Sequence, residues 1–286
     1  MQLVPSPDEL RNVLAGQPAC AFVPTMGNLH AGHLSLVKQA RSSGRPVVVS
    51  IFVNPLQFGA DEDFESYPRT LEADCALLEG EADVVFTPSI ADLYPVPQRF
   101  YVTPPDELAN DLCGAFRPGH FRGVATVVLK LFNLVQPALA FFGKKDYQQL
   151  AVIRQMTAQF NLPIDILAGE TVRATDGLAL SSRNAYLSIE ERREAPRLYQ
   201  ALKTLADQLS GGSRDFSALE AMGWQTLESA GWKVDYMAIR RPDLIRSDSS
   251  DTRFVVLGAA RLGKTRLIDN LEVGLSGPHV YNLSLS

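Results

Sequence analysis

The chain is poor in cysteine: Cys20, Cys75 and Cys113 are the only three in 286 residues. They are odd in number, far apart and in no C-x-x-C pair, which excludes a disulfide framework and a cysteine-based zinc site and reads as reduced cytosolic thiols. No run of lysines or arginines occurs, and the formal net charge is −5. That argues against a nucleic-acid scaffold, although a local basic pocket could still hold a small anion. No apolar stretch approaches the roughly 20 residues of a membrane span. The start, Met1-Gln2-Leu3-Val4-Pro5-Ser6-Pro7-Asp8-Glu9, lacks the basic-then-apolar order of a secretion signal. The expectation is a cytoplasmic, soluble protein with neither a nucleic-acid nor a membrane partner.

What is present is ordinary for a globular chain: 46% apolar and 21% charged residues, enough for one or two domains. Ser6-Pro7-Asp8-Glu9 fits a helix start, with Ser6 as cap, Pro7 in the first position and Glu9 closing a capping box. Strand and helix signals then alternate. Val47 to Val53 is apolar on both faces, as a central parallel strand should be. Tyr67 to Glu79 is predicted helical, Asp83 to Phe86 a strand, Val124 to Leu134 a helix ending before Pro137, and Ala138 to Phe142 a strand. A helix with Leu150, Ile153, Met156 and Phe160 on one face comes next, and Pro163 to Leu167 closes the series. This alternation predicts an α/β fold, a Rossmann-like doubly wound parallel sheet with ligands at the carboxyl ends of its strands.

Past about Val172 the character changes. Ser188-Ile189-Glu190-Glu191 is a capping box opening a charged helix through Leu209, followed by a Ser-Gly-Gly-Ser linker and a second helix. Strand-like segments occupy Val234 to Ile239, Phe254 to Gly258 and Thr265 to Ile268. The expected division is 1–171, a Rossmann-like ligand-binding domain, and 172–286, a smaller α+β domain closing over the site.

The most informative stretch is Pro24-Thr25-Met26-Gly27-Asn28-Leu29-His30-Ala31-Gly32-His33. It joins the apolar run Ala19 to Val23 to an amphipathic run with Leu34, Val37 and Ala40 at helical spacing. That is strand, glycine-containing turn, helix start. A helix start presents unpaired N–H groups and the positive end of its dipole, which suits phosphate. Two of the four histidines of the chain, His30 and His33, project from its first turn.

Further candidates lie at other strand ends. Asn54 and Gln57 leave the buried strand Val47 to Val53, where amides can hold a small polar substrate without adding charge. Arg117, His120 and Arg122 surround a helix start and could grip anionic oxygens, or could simply cap it. Gly143-Lys144-Lys145-Asp146 ends another strand: Lys145 offers a point charge, Gln149 lies about one turn later, and Asp146 is placed as an N-cap. Ser181, Ser182 and Arg183 can donate several hydrogen bonds to a triphosphate from a loop that could close over it.

The His-x-Gly-His pattern after a first strand resembles the signature of the nucleotidyltransferases that include class I aminoacyl-tRNA synthetases. The wider wording resembles one family, the pantothenate synthetases (pantoate–β-alanine ligases). Four more blocks match in order: Val53-Asn54-Pro55 to Thr70, Arg117 to Val124, Gly143 to Gln149, and Leu180-Ser181-Ser182-Arg183-Asn184. The resemblance implies an ATP-dependent ligase that joins D-pantoate to β-alanine through a pantoyl adenylate, releasing AMP and pyrophosphate. It implies ATP contacts at Met26, Gly27, Asn28, Leu29, His30, Ala31, Gly32, His33, Gly143, Lys144, Lys145, Asp146, Val172, Leu180, Ser181, Ser182 and Arg183. Pantoate would meet Met26, Asn54, Gln57 and Gln149, and β-alanine would meet Gln57. His30, His33, Lys145, Ser181, Ser182 and Arg183 would surround the reacting phosphates, with His33 as proton donor and Mg²⁺ bridging phosphates without an assigned protein ligand. The family forms homodimers.

A second motif points elsewhere. Gly258-Ala259-Ala260-Arg261-Leu262-Gly263-Lys264-Thr265 satisfies the G-x-x-x-x-G-K-[ST] pattern of a phosphate-binding loop, after an apolar strand. The next residues, Arg266 to Asn270, read as strand rather than helix, and too little chain remains for a P-loop sheet with its Mg²⁺-binding carboxylate. The rival readings are another nucleotidyltransferase, a P-loop kinase and a non-catalytic nucleotide-binding module.

Overall fold

In the computed structural model residues 1–60 and 62–274 are described; Asp61 and the end of the second region, 275–286, lie outside the described residues. The chain begins β1 (Gln2–Val4), α1 (Pro7–Leu14), β2 (Ala21–Thr25), α2 (Ala31–Ser42), β3 (Val47–Ile51), α3 (Leu71–Leu78) and β4 (Val84–Phe86). Three short helices come next, α4 (Ile90–Leu93), α5 (Asp106–Ala109) and α6 (Cys113–Phe116), then α7 (His120–Val135), β5 (Leu139–Gly143), α8 (Tyr147–Gln159) and β6 (Asp165–Gly169). The remainder is α9 (Ile189–Glu194), α10 (Arg197–Ser210), α11 (Phe216–Glu228), β7 (Lys233–Arg240), β8 (Phe254–Leu262) and β9 (Thr265–Val273).

Strands β1 to β6 form one sheet in the order β1-β4-β3-β2-β5-β6, every pairing parallel. Alternation along the strands gives the sheet two buried faces. Phe22, Val48, Phe86 and Phe142 point to the side of α1, α7 and α8, while Val23, Val49, Val85 and Phe141 point to α2 and α3. The expected doubly wound α/β architecture is therefore present. Its topology reverses between β2 and β5, and a crevice opens at that switch point, at the carboxyl ends of both strands.

The second sheet, β7-β8-β9, is antiparallel. One face, including Met237, Phe254 and Val256, packs with Leu202 and Leu205 of α10 and Leu227 of α11. Its other face, including Ala238, Val255 and Leu257, belongs to the same core as α7 and α8. The smaller sheet is thus held between helices of both parts of the chain.

Several sequence expectations shift. The helix expected from Tyr67 starts only at Leu71, because Pro68 disfavours helical geometry at the residue before it. Phe160, expected on the buried face of α8, caps its end and is 53% exposed. The single helix expected from Ser188 to Leu209 is two: Pro196 has no N–H to continue α9, and α10 restarts behind it. The strand β1 and the short helices α4 to α6 carry too little periodicity to be read from sequence.

One packing contact ties this frame to the crevice. α7 crosses the 3₁₀ turn Pro55–Gln57 so closely that a Cβ on Gly123 would lie 2.1 Å from the Leu56 carbonyl oxygen. Gly123→Ala is expected to lose about 2 kcal/mol or more of stability, read as a lower urea midpoint at unchanged m. An unchanged midpoint would show that the two segments can separate freely.

Candidate active site

The crevice is built from four loops. After β2 the chain turns through Gly27 at φ 79° and Asn28 at φ 50°. Thr25 Oγ1 donates to the Ser50 carbonyl at 2.8 Å and accepts the Gly27 N–H at 3.2 Å. The carboxylate of Asp74, 1% exposed, accepts the N–H groups of Asn28 at 2.9 Å and Leu29 at 2.7 Å, and the Thr70 hydroxyl at 3.2 Å.

The turn delivers His30 to the N-cap of α2. Its Nδ1 accepts the Gly32 N–H at 3.1 Å, while Nδ1 of His33 accepts the His30 N–H at 3.3 Å. This is a reciprocal capping box made of two imidazoles. Since both Nδ1 atoms accept, each neutral ring carries its proton on Nε2. Burial, with Lys145 nearby, lowers the pKa of His30 to about 4; burial, His30 and Lys145 lower that of His33 to about 3. A proton donor at position 33, implied by the family resemblance, fits this environment as a neutral ring with its proton on Nε2. A Cβ on Gly32 would lie 2.8 Å from Cε1 of His30, so the glycine between the histidines permits the stack.

Gln57 is held from two sides. Its Oε1 accepts from Asn54 Nδ2 at 3.1 Å, and its backbone carbonyl lies 2.8 Å from His120 Nδ1. Asn54 also donates to the Gly123 carbonyl at 3.2 Å, and its Oδ1 accepts from Tyr94 Oη at 2.7 Å and the Leu56 N–H at 3.3 Å. The Asn54 amide is thus fully engaged within the protein, holding Gln57 from the cavity wall. Arg117 donates to Glu62 through Nε and Nη2, both at 2.6 Å, and its Nη1 lies 2.9 Å from His120 Nε2. Guanidinium can only donate, so His120 is neutral with its proton on Nδ1. Burial and Arg117 lower its pKa to about 3. The possible anion grip at 117–122 is therefore a brace behind Gln57, and Arg122 stacks over Tyr101, 4.7 Å from its ring centre.

The two lysines after β5 have separate roles. Lys144 pairs with Glu170 at 2.5 Å and Glu272 at 2.7 Å, tying β5 to β9 and β6, and does not line the cavity. Lys145 does line it, with Asp146 at 3.8 Å. Asp146 occupies the N-cap position of α8 but makes no capping hydrogen bond there, contrary to expectation. Burial opposes its ionisation, yet the cations Lys145, Arg183 and Arg117 together hold its carboxyl below the usual range. Asn270, on β9, donates to the carbonyls of Lys144 and Lys145, both at 2.9 Å.

The fourth loop comes from the smaller part of the chain. Ser182 Oγ donates to the Asn28 carbonyl at 3.1 Å, and Arg183 pairs with Asp63 at 2.8 Å. Ser181 caps its own turn by accepting the Arg183 N–H at 3.3 Å.

All four loops face one cavity of about 220 Å³, lined among others by Met26, His30, Gly32, His33, Asn54, Gln57, Gly143, Lys145, Asp146, Gln149, Val172, Leu180, Ser181, Ser182 and Arg183. Gly27, Asn28, Leu29 and Ala31 support the histidine loop without lining that cavity. Sequence reasoning missed Asp74, Tyr94, Asn270 and Glu272, whose contacts span long sequence separations. The only local hint at Asp74 is an acid one turn before the buried Leu78.

A family model described as pantoate–β-alanine ligase matches residues 2–272. The chain belongs to the pantoate–β-alanine ligase family. It is 60% identical to the pantothenate synthetase of Thiobacillus denitrificans over 275 residues, 96% of this chain and 97% of that protein. It is 57% identical to that of Methylobacillus flagellatus over 274 residues, 95% of this chain and 98% of the relative. The crystal structure of pantothenate synthetase from Thermus thermophilus superposes with a TM-score of 0.90 at 44% identity, covering 95% of this chain and 99% of that one. Pantoate–β-alanine ligase from Francisella tularensis, solved with β-γ ATP and β-alanine, gives a TM-score of 0.79 at 35% identity, covering 98% and 100%. As a ligase of this family, the chain is an enzyme whose signature residues converge on one cavity. Among the described residues no group of three or more histidine, cysteine, aspartate or glutamate side chains could hold a metal ion, and no helix is long and apolar enough to cross a membrane.

The buried neutral imidazoles predict how stability depends on pH. His30, His33 and His120 resist protonation when folded, whereas the unfolded chain protonates them near pH 6.5. Unfolding therefore takes up protons as the pH falls below 6.5, and stability drops by up to about 1.4 kcal/mol per pH unit for each histidine. Urea denaturation between pH 7.5 and roughly 5, above the carboxylate range, checks this. His120→Gln should flatten the slope, and an equal slope would contradict the neutral assignment.

Proposed function

We propose that this enzyme condenses D-pantoate with β-alanine in two ATP-driven steps within this cavity. In the first, a pantoate carboxylate oxygen attacks the α-phosphorus of ATP; the bond to the β-phosphate breaks and pyrophosphate leaves, giving pantoyl adenylate. In the second, the β-alanine amine attacks the acyl carbon, loses a proton, and AMP departs with the electrons of the C–O bond. The observation that carries this reading is the shared cavity. Neutral N–H donors from His30 and His33, the Lys145 charge and the Ser181–Arg183 loop share its wall with the amides of Gln57 and Gln149.

Such a reaction asks little covalent chemistry of the protein; positioning and charge stabilisation do most of it. Nε2–H of His30 and of His33 would meet phosphate oxygens without giving up a proton, and Lys145 would neutralise charge on the leaving pyrophosphate. Arg183 would exchange Asp63 for the β- and γ-phosphates. Gln57, aimed by Asn54, and Gln149 would orient pantoate, with Met26 against it and Gln57 also meeting β-alanine. Magnesium, when bound with ATP, would neutralise phosphate charge, and Asp146 fits it, being the ionised cavity carboxylate with no ion pair closer than 3.8 Å. Within the region 172–286, the described residues 172–274 act as the closing part of the site, a reading supported by the Ser182–Asn28 and Asn270–Lys145 hydrogen bonds. A homodimer rests on the family resemblance alone, and a cytoplasmic location on the isolated, unpaired cysteines of the sequence.

The deciding experiment is ATP–pyrophosphate isotope exchange with Mg²⁺, with and without D-pantoate and with β-alanine omitted. Pantoate-dependent exchange is expected; its absence from well-folded protein would remove the adenylate. His33→Ala is expected to lower that exchange by two orders of magnitude or more, about 3 kcal/mol of transition-state stabilisation. Near-normal exchange would take His33 out of the mechanism.

A further inference from the structure

The P-loop-like segment turns out to be a β-hairpin. Gly258 to Leu262 lie within β8, Thr265 opens β9, and Gly263 and Lys264 form the two-residue turn between them, Gly263 at φ 57°. It holds no phosphate in the manner of a P-loop, yet its cations do not face bulk solvent alone. Arg261 and Lys264 line a second cleft of about 200 Å³ that shares Lys145, Asp146, Ser181 and Arg183 with the reaction cavity. The hairpin is seated firmly there, since a Cβ on Gly263 would lie 1.9 Å from Oε1 of Glu191.

The charge balance of the cleft is unlike that of the molecule. Six cations and four carboxylates line it, in a protein of net charge −5. Three of the carboxylates are neutralised locally: Glu62 by Arg117, Asp63 by Arg183 and Asp269 by Arg173. Arg266 is likewise held by Asp235. Glu191, beneath the hairpin tip, accepts the Ser188 N–H within its capping box. Arg261 and Lys264 have no ion-pair partner among the described residues, and with Lys145, which also lines the reaction cavity, they line this cleft.

We propose that Arg261 and Lys264 form a relay site that captures the pyrophosphate product as it leaves the reaction cavity through this cleft. The proposal rests on the adenylation scheme, in which ATP gives up pyrophosphate. Two water-exposed cations without ion-pair partners among the described residues suit a polyphosphate that must be held briefly and let go. They attract it over distances of about a Debye length without a tight cage.

The test is calorimetric titration of inorganic pyrophosphate into the full-length enzyme and into Arg261→Gln/Lys264→Gln, at several salt concentrations. The double variant is expected to bind about tenfold more weakly and to show a shallower dependence on salt. Arg261→Lys/Lys264→Arg should restore both, while Lys38→Gln/Arg246→Gln, which removes two exposed charges outside both cavities, should leave binding as it was. Equal binding by the wild type and the folded Gln variant would overturn the relay, as would a wild type that does not bind pyrophosphate. Pantoate-dependent exchange, measured in parallel on the wild type, separates the two readings. Its absence beside intact, Arg261- and Lys264-dependent binding would sink the adenylation scheme and keep the anion site.

Discussion

The carboxylate of Asp74 takes the N–H groups of Asn28 and Leu29 and the hydroxyl of Thr70 in a site closed to water. Everything downstream in the histidine loop depends on it. Both amides lie in a turn with positive φ at Gly27 and Asn28, so neither has a strand or helix partner to fall back on. A buried amide without a partner costs about 1–3 kcal/mol, and two would exceed any preference of the turn for its present shape. Gly27 supports the arrangement by being small: its missing Cβ would sit 3.0 Å from Asp74 Oδ2. The carboxylate thereby fixes where α2 begins, and so where His30 and His33 stand.

Where those rings stand decides their chemistry. In a capping box the usual reciprocal partners are a hydroxyl and a carboxylate; here two imidazoles do the same work through Nδ1. The helix thus uses up the acceptor nitrogen of each ring and leaves the donor free. Burial and the nearby Lys145 keep the rings uncharged, so the site offers polarised N–H groups at a helix N-terminus, a preorganised arrangement for phosphate. His120 has the opposite tautomer because Arg117, which can only donate, occupies its Nε2. Three neutral histidines in one cavity wall therefore divide into two that cap α2 and one that braces the backbone of Gln57.

The doubly wound sheet is legible in the sequence because its signal is local. Alternating apolar faces along β2, β3 and β5, with helical spacing in α2 and α8, leave few other ways to bury that surface. The loops at its carboxyl edge are legible as candidates for the same reason. Which side chains would meet a ligand is less so. Asn54 and Lys144 look as available in sequence as Gln57 and Lys145, and only the fold shows that Tyr94 and Gly123 engage the one and Glu170 and Glu272 the other. Asp74 is barely legible, since the two amides it accepts lie 46 and 45 residues away.

The hairpin at Gly263 makes the same point from the opposite direction. A P-loop works because its glycines free successive backbone N–H groups to curl around phosphate ahead of a helix. In β8 and β9 the corresponding N–H groups belong to a ladder pairing Phe254 with Val273 through Leu262 with Thr265. The pattern Gly258 to Thr265 is matched in letters, and its two glycines answer other demands. Gly258 makes room for Leu198 and Met237, each 3.0 Å from where its Cβ would be, and Gly263 turns the hairpin over Glu191. The lysine survives that change of context because a charge acts through space, whereas a cradle of amides acts only through a particular backbone. What such a motif retains outside its native fold is its electrostatics, and in this chain those face a cleft that shares Lys145 and Arg183 with the candidate active site.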